Sequence, residues 1–276
     1  MAKTNTPFPY YGAKVNLAPW IVSHLPAHRA YIEPFAGSAA VLMAKAPSPY
    51  EVINDLDGEV VNFWRVLRDQ HDDLVGALQL TPYARDEYLE CRDGDARSDP
   101  VERARRFFVR ASASFNASTA ARTGFSASHP RKHPAKPVTF SRRVDVRLAA
   151  VAARIRDVEI ENIDALALIQ RWNTPDAVLY LDPPYLNSTR VSHGDYATDN
   201  GDDEFHVRLI SAVSETTSRV VLSGYASDVY DDLLTRAKGW SRIDRNVYAP
   251  TSSSTTASRR TESLWVNFDT KEGSLP

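Results

Sequence analysis

Apolar residues recur along the chain at two spacings. Between Asp57 and Asp69, Val60, Val61, Trp64 and Leu67 share one face at helical period and predict an amphipathic helix packed on a core. A second helix is expected where Ala104, Phe107, Phe108, Ala111 and Phe115 form a stripe, with Arg103, Arg106 and Arg110 on another face. A third carries Val144, Leu148, Val151 and Ile155, with Arg143, Arg147 and Arg154 off the stripe. Continuous apolar runs tell a different story. Ala177–Leu181 reads as a strand buried on both faces, as in a parallel sheet, and it ends at Asp182. Residues 31–36 and 50–55 read as two shorter strands around a helical stretch from Ser38 to Lys45, and 220–222 and 264–268 as later ones.

Strands alternating with helices in both halves predict a doubly wound α/β sheet, interrupted by the basic helices as an insertion. The expected boundaries are 1–70 and 158–276 for the two parts of the α/β domain and 71–157 for the insertion. Within it, 117–139 is rich in Ser, Thr, Ala, Pro and basic residues and too poor in large apolar ones to fold alone.

Charge sharpens this picture. The formal net charge is −2, yet from Arg97 to Arg156 there are fourteen basic residues against three acidic ones, an excess of eleven. A basic block in an otherwise acidic chain predicts one face for a polyanion; a solvated helix pair is the plain alternative. No run reaches the roughly 18–20 apolar residues of a membrane span. The N-terminus lacks the apolar stretch of a secretion signal, so the expected compartment is the cytoplasm. One cysteine, Cys91, permits no internal disulfide, and the seven histidines show no metal-ligand spacing, so no metal is expected. His206, near a predicted helix start, and His129 and His133 in the basic loop read as structural or phosphate-facing.

The candidate chemistry centres on Asp182-Pro183-Pro184-Tyr185, directly after the buried strand. Ligands of open α/β sheets collect at the carboxyl ends of strands. Two prolines stiffen the turn and offer carbonyl acceptors without N–H donors. That suits methylation of an exocyclic amine such as adenine N6, whose lone pair is delocalised into the ring. Asp182 and the Pro183 carbonyl can accept the two N–H groups and align the nitrogen for transfer, a preorganised electrostatic role. Tyr185 offers a stacking face worth about 1–3 kcal/mol per base. An amine inside a duplex is out of reach, so the base must be flipped out. Taken alone, such a turn also merely ends a strand in many proteins.

Its companions narrow the choice. Glu33-Pro34-Phe35-Ala36-Gly37 lies between a strand and a helix, and Gly37 permits close backbone approach to a ligand. The dinucleotide spacing G-x-G-x-x-G is missing, which favours a phosphate-free cofactor such as S-adenosylmethionine. Val52-Ile53-Asn54-Asp55 ends the next strand in an acid, placed to bind ribose hydroxyls.

With these motifs in order over nearly its whole length, the chain resembles the Dam-type family of DNA N6-adenine methyltransferases, in its phage-type form. The resemblance implies a Rossmann-like methyltransferase sheet with an inserted, mainly helical DNA-recognition module. S-adenosylmethionine would be the methyl donor, S-adenosylhomocysteine the product and double-stranded DNA the partner. Phe8–Lys14 is similar to the family's N-terminal cofactor motif, with Tyr10 and Lys14 as contacts and Tyr11 and Gly12 beside them. Glu33–Gly37, with Pro34 and Phe35, matches its glycine motif, Asp55 its ribose acid and Asp164 its cofactor-adenine contact. Asp182–Tyr185 is its catalytic tetrapeptide unaltered. Leu222–Tyr225 and Glu262–Asn267 resemble later strands. Asn116, Arg122, Arg131, Lys132 and Arg143 fall in the recognition module as DNA contacts. Tyr10 stands where tryptophan is frequent and Ala13 where glycine is, and the sequence after Asn116 diverges, so the target word does not carry over. A restriction endonuclease would be a genetic partner only. The competing readings are cytosine N4 or RNA adenine as substrate, or a non-catalytic DNA-binding protein on this fold. By the same resemblance, the acid at the head of the tetrapeptide favours adenine, since enzymes acting on cytosine or protein amides more often carry Ser or Asn there.

Overall fold

The computed structural model describes residues 5–92, 99–115, 123–129, 134–184, 203–249 and 258–269. The first half runs α1 (Ala18–Val22), β1 (Ala30–Glu33), α2 (Ala40–Ala44), β2 (Tyr50–Asn54) and α3 (Gly58–Asp69). Five helices follow: α4 (His71–Gln79), α5 (Arg85–Arg92), α6 (Pro100–Ala113), α7 (Lys136–Arg142) and α8 (Leu148–Arg154). The chain then returns to the sheet with β3 (Glu159–Glu161), α9 (Ala165–Arg171), β4 (Ala177–Leu181), α10 (Asp203–Ser214), β5 (Arg219–Tyr225) and α11 (Asp228–Leu233). A hairpin of β6 (Ser241–Ala249) and β7 (Ser258–Val266) ends it.

The seven strands lie in the order β3-β2-β1-β4-β5-β7-β6; β3 to β5 are parallel, and β7 pairs antiparallel with both β5 and β6. Strand order reverses between β1 and β4. That is the switch point where open α/β sheets bind ligands.

Each central strand feeds two cores, because alternate side chains point to opposite faces. Tyr31, Ile53, Val178, Tyr180 and Val221 pack under α1–α4 and α6–α8, whereas Ile32, Val52, Leu179, Leu181 and Leu222 pack under α9–α11. Phe107, Phe108, Phe140 and Leu148 of the inserted helices belong to the first of these cores. The insertion is thus built onto the sheet layer.

Several local expectations change. Phe115 lies past the end of α6, which stops at Ala113, and is 57% exposed, so it leaves the apolar stripe expected for it. A backbone bridge between Ser114 and Phe125 takes over there. The third helix begins earlier than its apolar stripe, at Lys136, and a π-turn (Arg143–Arg147) separates α7 from α8. Strand β6 was not foreseen, because Ser241–Ala249 mixes charged residues among few large apolar ones. Strand β7 also begins earlier than the apolar run expected at 264–268, at Ser258.

Among the described residues, four arginines of the basic block are compensated by acids. Arg103 pairs with Glu59, Arg105 with Glu87 and Glu102, Arg106 with Glu102, and Arg154 with Glu51 of β2. Arg110 is buried and donates to the Cys91 carbonyl. Arg142, Arg143 and Arg147 make no ion pair with a described residue.

Candidate active site

Four segments converge at the switch point. Phe8 is fully buried, its ring 4.9 Å from Phe63 of α3 and 5.0 Å from Phe107 of α6. That anchor sets the following segment, Tyr10 to Lys14, along the carboxyl ends of β1 and β4. The cleft there opens to solvent and is lined by Tyr10, Tyr11, Gly12 and Lys14. Glu33, Phe35 and Gly37 from the turn after β1, Asp55 after β2, and Asp182 and Pro184 after β4 complete it.

Lys14 reaches across 168 residues of sequence to Asp182, its Nζ 2.7 Å from Oδ1. Burial alone would lower the Lys14 pKa, but the Asp182 and Glu262 carboxylates outweigh it and hold it above the ordinary lysine value. Ser223 on β5 donates to the same Oδ1 at 3.0 Å, and Tyr180 and Ser223 share a hydrogen bond at 3.1 Å. Both bonds to Asp182 fall on Oδ1. Oδ2 is uncommitted among the described residues, on a side chain 19% exposed at the cleft wall.

The turn after β1 is held open for a ligand. Gly37 has φ +46°, and a Cβ there would lie 2.7 Å from the Tyr10 ring. Its N–H donates to Asp55 Oδ2 at 2.8 Å, and its carbonyl accepts from Trp64 Nε1 at 2.9 Å. Trp64 therefore does more than fill the core. Ala39, also left-handed at φ 47°, adds strain at the head of α2. Ser38 Oγ is buried without a hydrogen-bond partner among the described residues. An orphaned hydroxyl on a cleft wall is a place a ligand's polar group can complete.

The acids differ in character. Glu33 accepts from the Tyr31 hydroxyl at 2.8 Å and from Leu42 N at 3.2 Å, and burial pushes its pKa up to about 8. Asp55 is pushed up to about 6 by burial, offset in part by the N–H groups of Asp57 and Gly37. Asn54, 2% exposed, was missed as a chemical residue and does structural work. Its side chain bonds the Pro34 carbonyl and both backbone groups of Ile163, locking the ends of β1, β2 and β3 together.

Not every expected residue meets at the cleft. Pro34 serves through that carbonyl, and Asp164 is exposed and caps α9, with Oδ1 accepting from Leu166 N and Ala167 N. Pro183 and Pro184 form the described start of the catalytic turn. Tyr185, Asn116, Arg122, Arg131 and Lys132, like His133, lie outside the described residues. Arg143 stands on the π-turn, where burial and the neighbouring Arg147 lower its pKa to about 10.

The strand order, the antiparallel β7 and a ligand cleft at the switch point define a Rossmann-like methyltransferase. The family model for D12 class N6 adenine-specific DNA methyltransferases matches residues 10–246. The chain belongs to that family and methylates adenine N6 in DNA, with S-adenosylmethionine as methyl donor. Among curated relatives, the type II methyltransferase M1.LlaDCHI of Lactococcus lactis subsp. cremoris is 26% identical over 234 residues, 80% of this chain and 81% of that one. Similar solved structures include a protein of Pyrococcus horikoshii described as an RNA methyltransferase, at TM-score 0.38 and 9% identity over 94% of this chain and 86% of that one. Another is described as a methyltransferase of Streptococcus mutans in complex with SAH, at TM-score 0.36 and 10% identity over 92% and 98%. The fold assignment rests on the strand order.

The site suits the donor. Its lining combines a close-approach glycine, a serine hydroxyl without a partner among the described residues and three acids, groups that match the sulfonium, ammonium and ribose hydroxyls of such a donor. Among the described residues there is no helix long and apolar enough to cross a membrane.

Proposed function

We propose that the chain methylates adenines turned out of double-stranded DNA into the cleft, at one defined word, and that Asp182 and the Pro183 carbonyl are the acceptors for the target amine. The observation that carries this reading is the fixing of Asp182 through Oδ1 by Lys14 and Ser223. Oδ2 then accepts one N–H of the amine while the Pro183 carbonyl accepts the other. The donor supplies the methyl group on its sulfonium. The nitrogen forms the new N–C bond as the S–C bond breaks, the Asp182 carboxylate stabilises the positive charge developing on the amine, and the surplus proton is shed to water. Both acceptors are in place before the base arrives, so little reorganisation is spent on the reaction.

Asp55 and Asp164 take the ribose and adenine ends of the donor in this reading, with Glu33, Tyr10, Tyr11, Gly12 and Lys14 around its methionyl end. Tyr185 stacks on the flipped base. The inserted segment 71–157 reads the target. Arg143, with Arg147 beside it, contacts phosphate, while Asn116, Arg122, Arg131 and Lys132 are further DNA contacts. The type II designation of the Lactococcus relative supports the same designation here, with a restriction endonuclease as a genetic partner only. DNA as substrate makes the cytoplasm the working compartment. Expression in a methylation-free host, followed by sequencing that reports N6-methyladenine, tests the reading. A 2-aminopurine probe at the target adenine tests flipping by its rise in fluorescence.

A further inference from the structure

Pro183 and Pro184 have no N–H groups, so any hydrogen bond that fixes their carbonyls must come from elsewhere. The donor is on α10. His206 is fully buried, with Nε2 3.0 Å from the Pro184 carbonyl and Nδ1 2.7 Å from the Tyr230 hydroxyl of α11. A carbonyl only accepts, so Nε2 carries a proton. In the neutral ring favoured by burial, Nδ1 then accepts from the Tyr230 O–H. The chain of bonds runs Tyr230 to His206 to Pro184 and points one way.

Packing locks each member. The Tyr230 ring lies 4.8 Å from Trp265 of β7 and over Gly224 of β5, where an added Cβ would stand 3.2 Å from it. The neighbouring Phe205 sits 6.1 Å from Phe35 in the turn after β1. The first turn of α10 thus touches the glycine turn through one side chain and the catalytic turn through the next.

We infer that His206 and Tyr230 are positioning residues for methyl transfer: His206 takes up the Pro184 carbonyl and fixes the turn, so that the Pro183 carbonyl is left correctly aimed for the target amine. The inference rests on the proposed role of that turn. Its effect belongs to the transfer step, because neither side chain lines the donor cleft.

The test compares His206→Leu, His206→Gln and Tyr230→Phe with the wild-type chain, using single-turnover transfer of tritiated methyl groups to unmethylated genomic DNA. Thermal melting and calorimetric binding of S-adenosylmethionine accompany each variant. Leu removes the donor, and its transfer rate should fall about tenfold or more, as for a buried acceptor left unpaired. Donor affinity and the KM for DNA should change less than about twofold, because those contacts lie elsewhere. Gln keeps an N–H2 directed at Pro184 and should restore the rate to within about threefold of wild type. Tyr230→Phe keeps the ring and should fall between the two. A His206→Leu rate equal to wild type would overturn the inference, as would a folded Gln variant no better than Leu. If Leu fails to fold, Gln and Phe carry the test: near-normal rates in Gln with a reduced rate in Phe support the relay, and an unreduced Phe variant contradicts it. Wild-type activity, measured in parallel, separates failure of this inference from failure of the methyltransferase reading.

Discussion

Lys14 and Asp182, 168 residues apart, form an ion pair of 2.7 Å between the segment before α1 and the turn after β4. The lysine side chain is 5% exposed. Removing it leaves a half-buried carboxylate without its cation. Lys14→Met should cost about 3 kcal/mol of stability, the low end for breaking a buried pair from one side. Methyl transfer should fall with it, because Asp182 then keeps only the Ser223 hydrogen bond on Oδ1. Urea denaturation measures the first effect and filter-bound methylation the second. Retention of both would show that the pair is incidental.

Glu33 makes stability pH-dependent. Its folded pKa of about 8 lies above its ordinary value of 4.5, so the native chain binds the extra proton between those limits. The folded state gains from Glu33 fully below about pH 4.5 and loses that gain as pH rises through about 8. Glu33→Gln carries no such proton. Its melting temperature relative to wild type should therefore climb by a few degrees between pH 5 and pH 9, read by calorimetry across a buffer series. A constant difference would mean that Glu33 is ionised throughout.

Gly37 cannot accept a side chain. Alanine there adds a left-handed residue, costing about 1–2 kcal/mol, and drives a Cβ to 2.7 Å from the Tyr10 ring. Gly37→Ala should lose S-adenosylmethionine binding by more than about tenfold in calorimetric titration, since Tyr10 and the turn both line the cleft proposed for the donor. Unchanged affinity would place the donor elsewhere.

Asp55 and Asp164 should differ when each is changed to alanine. Asp55 lines the cleft and also holds the Gly37 N–H, so its loss should weaken donor binding by about 1.5–3 kcal/mol. Asp164 caps α9, and its loss should cost about 1 kcal/mol of stability with a smaller effect on the donor. Equal weakening by calorimetry would give the two acids equal shares in the site.

DNA affinity should depend on salt through the basic residues proposed to contact phosphate. Each phosphate contact contributes a slope near −0.9 in log affinity against log salt. Neutralising Arg131, Lys132 and Arg143 together should flatten that slope, whereas changes at Arg103 or Arg106, already paired with Glu59 and Glu102, should not. An unaltered slope in the triple variant would move the DNA to another face.

The central strands and the three motif turns were legible because buried parallel strands are continuous apolar runs and because ligands gather at their ends. What stayed hidden was long-range. Sequence spacing does not say that Lys14 meets Asp182, that Trp64 bonds the Gly37 carbonyl or that Asn54 ties three strand ends. The basic block looked like one polyanion face because its charge was counted locally. Glu51, Glu59 and Glu87, outside that window, neutralise Arg154, Arg103 and Arg105 only once α6 and α8 are packed. His206 read only as structural or phosphate-facing, since Pro184 is 22 residues away in the sequence.

The central claim is that Asp182 directs methylation to adenine N6. Its most direct test is base-resolved sequencing of DNA from a methylation-free host expressing the wild-type chain or Asp182→Ala, with donor binding checked by calorimetry. N6-methyladenine is expected at every copy of one short word with the wild type and at none with Asp182→Ala, while the variant still folds. Methylation on cytosine, or an Asp182→Ala chain that modifies DNA at near-normal levels, would contradict it.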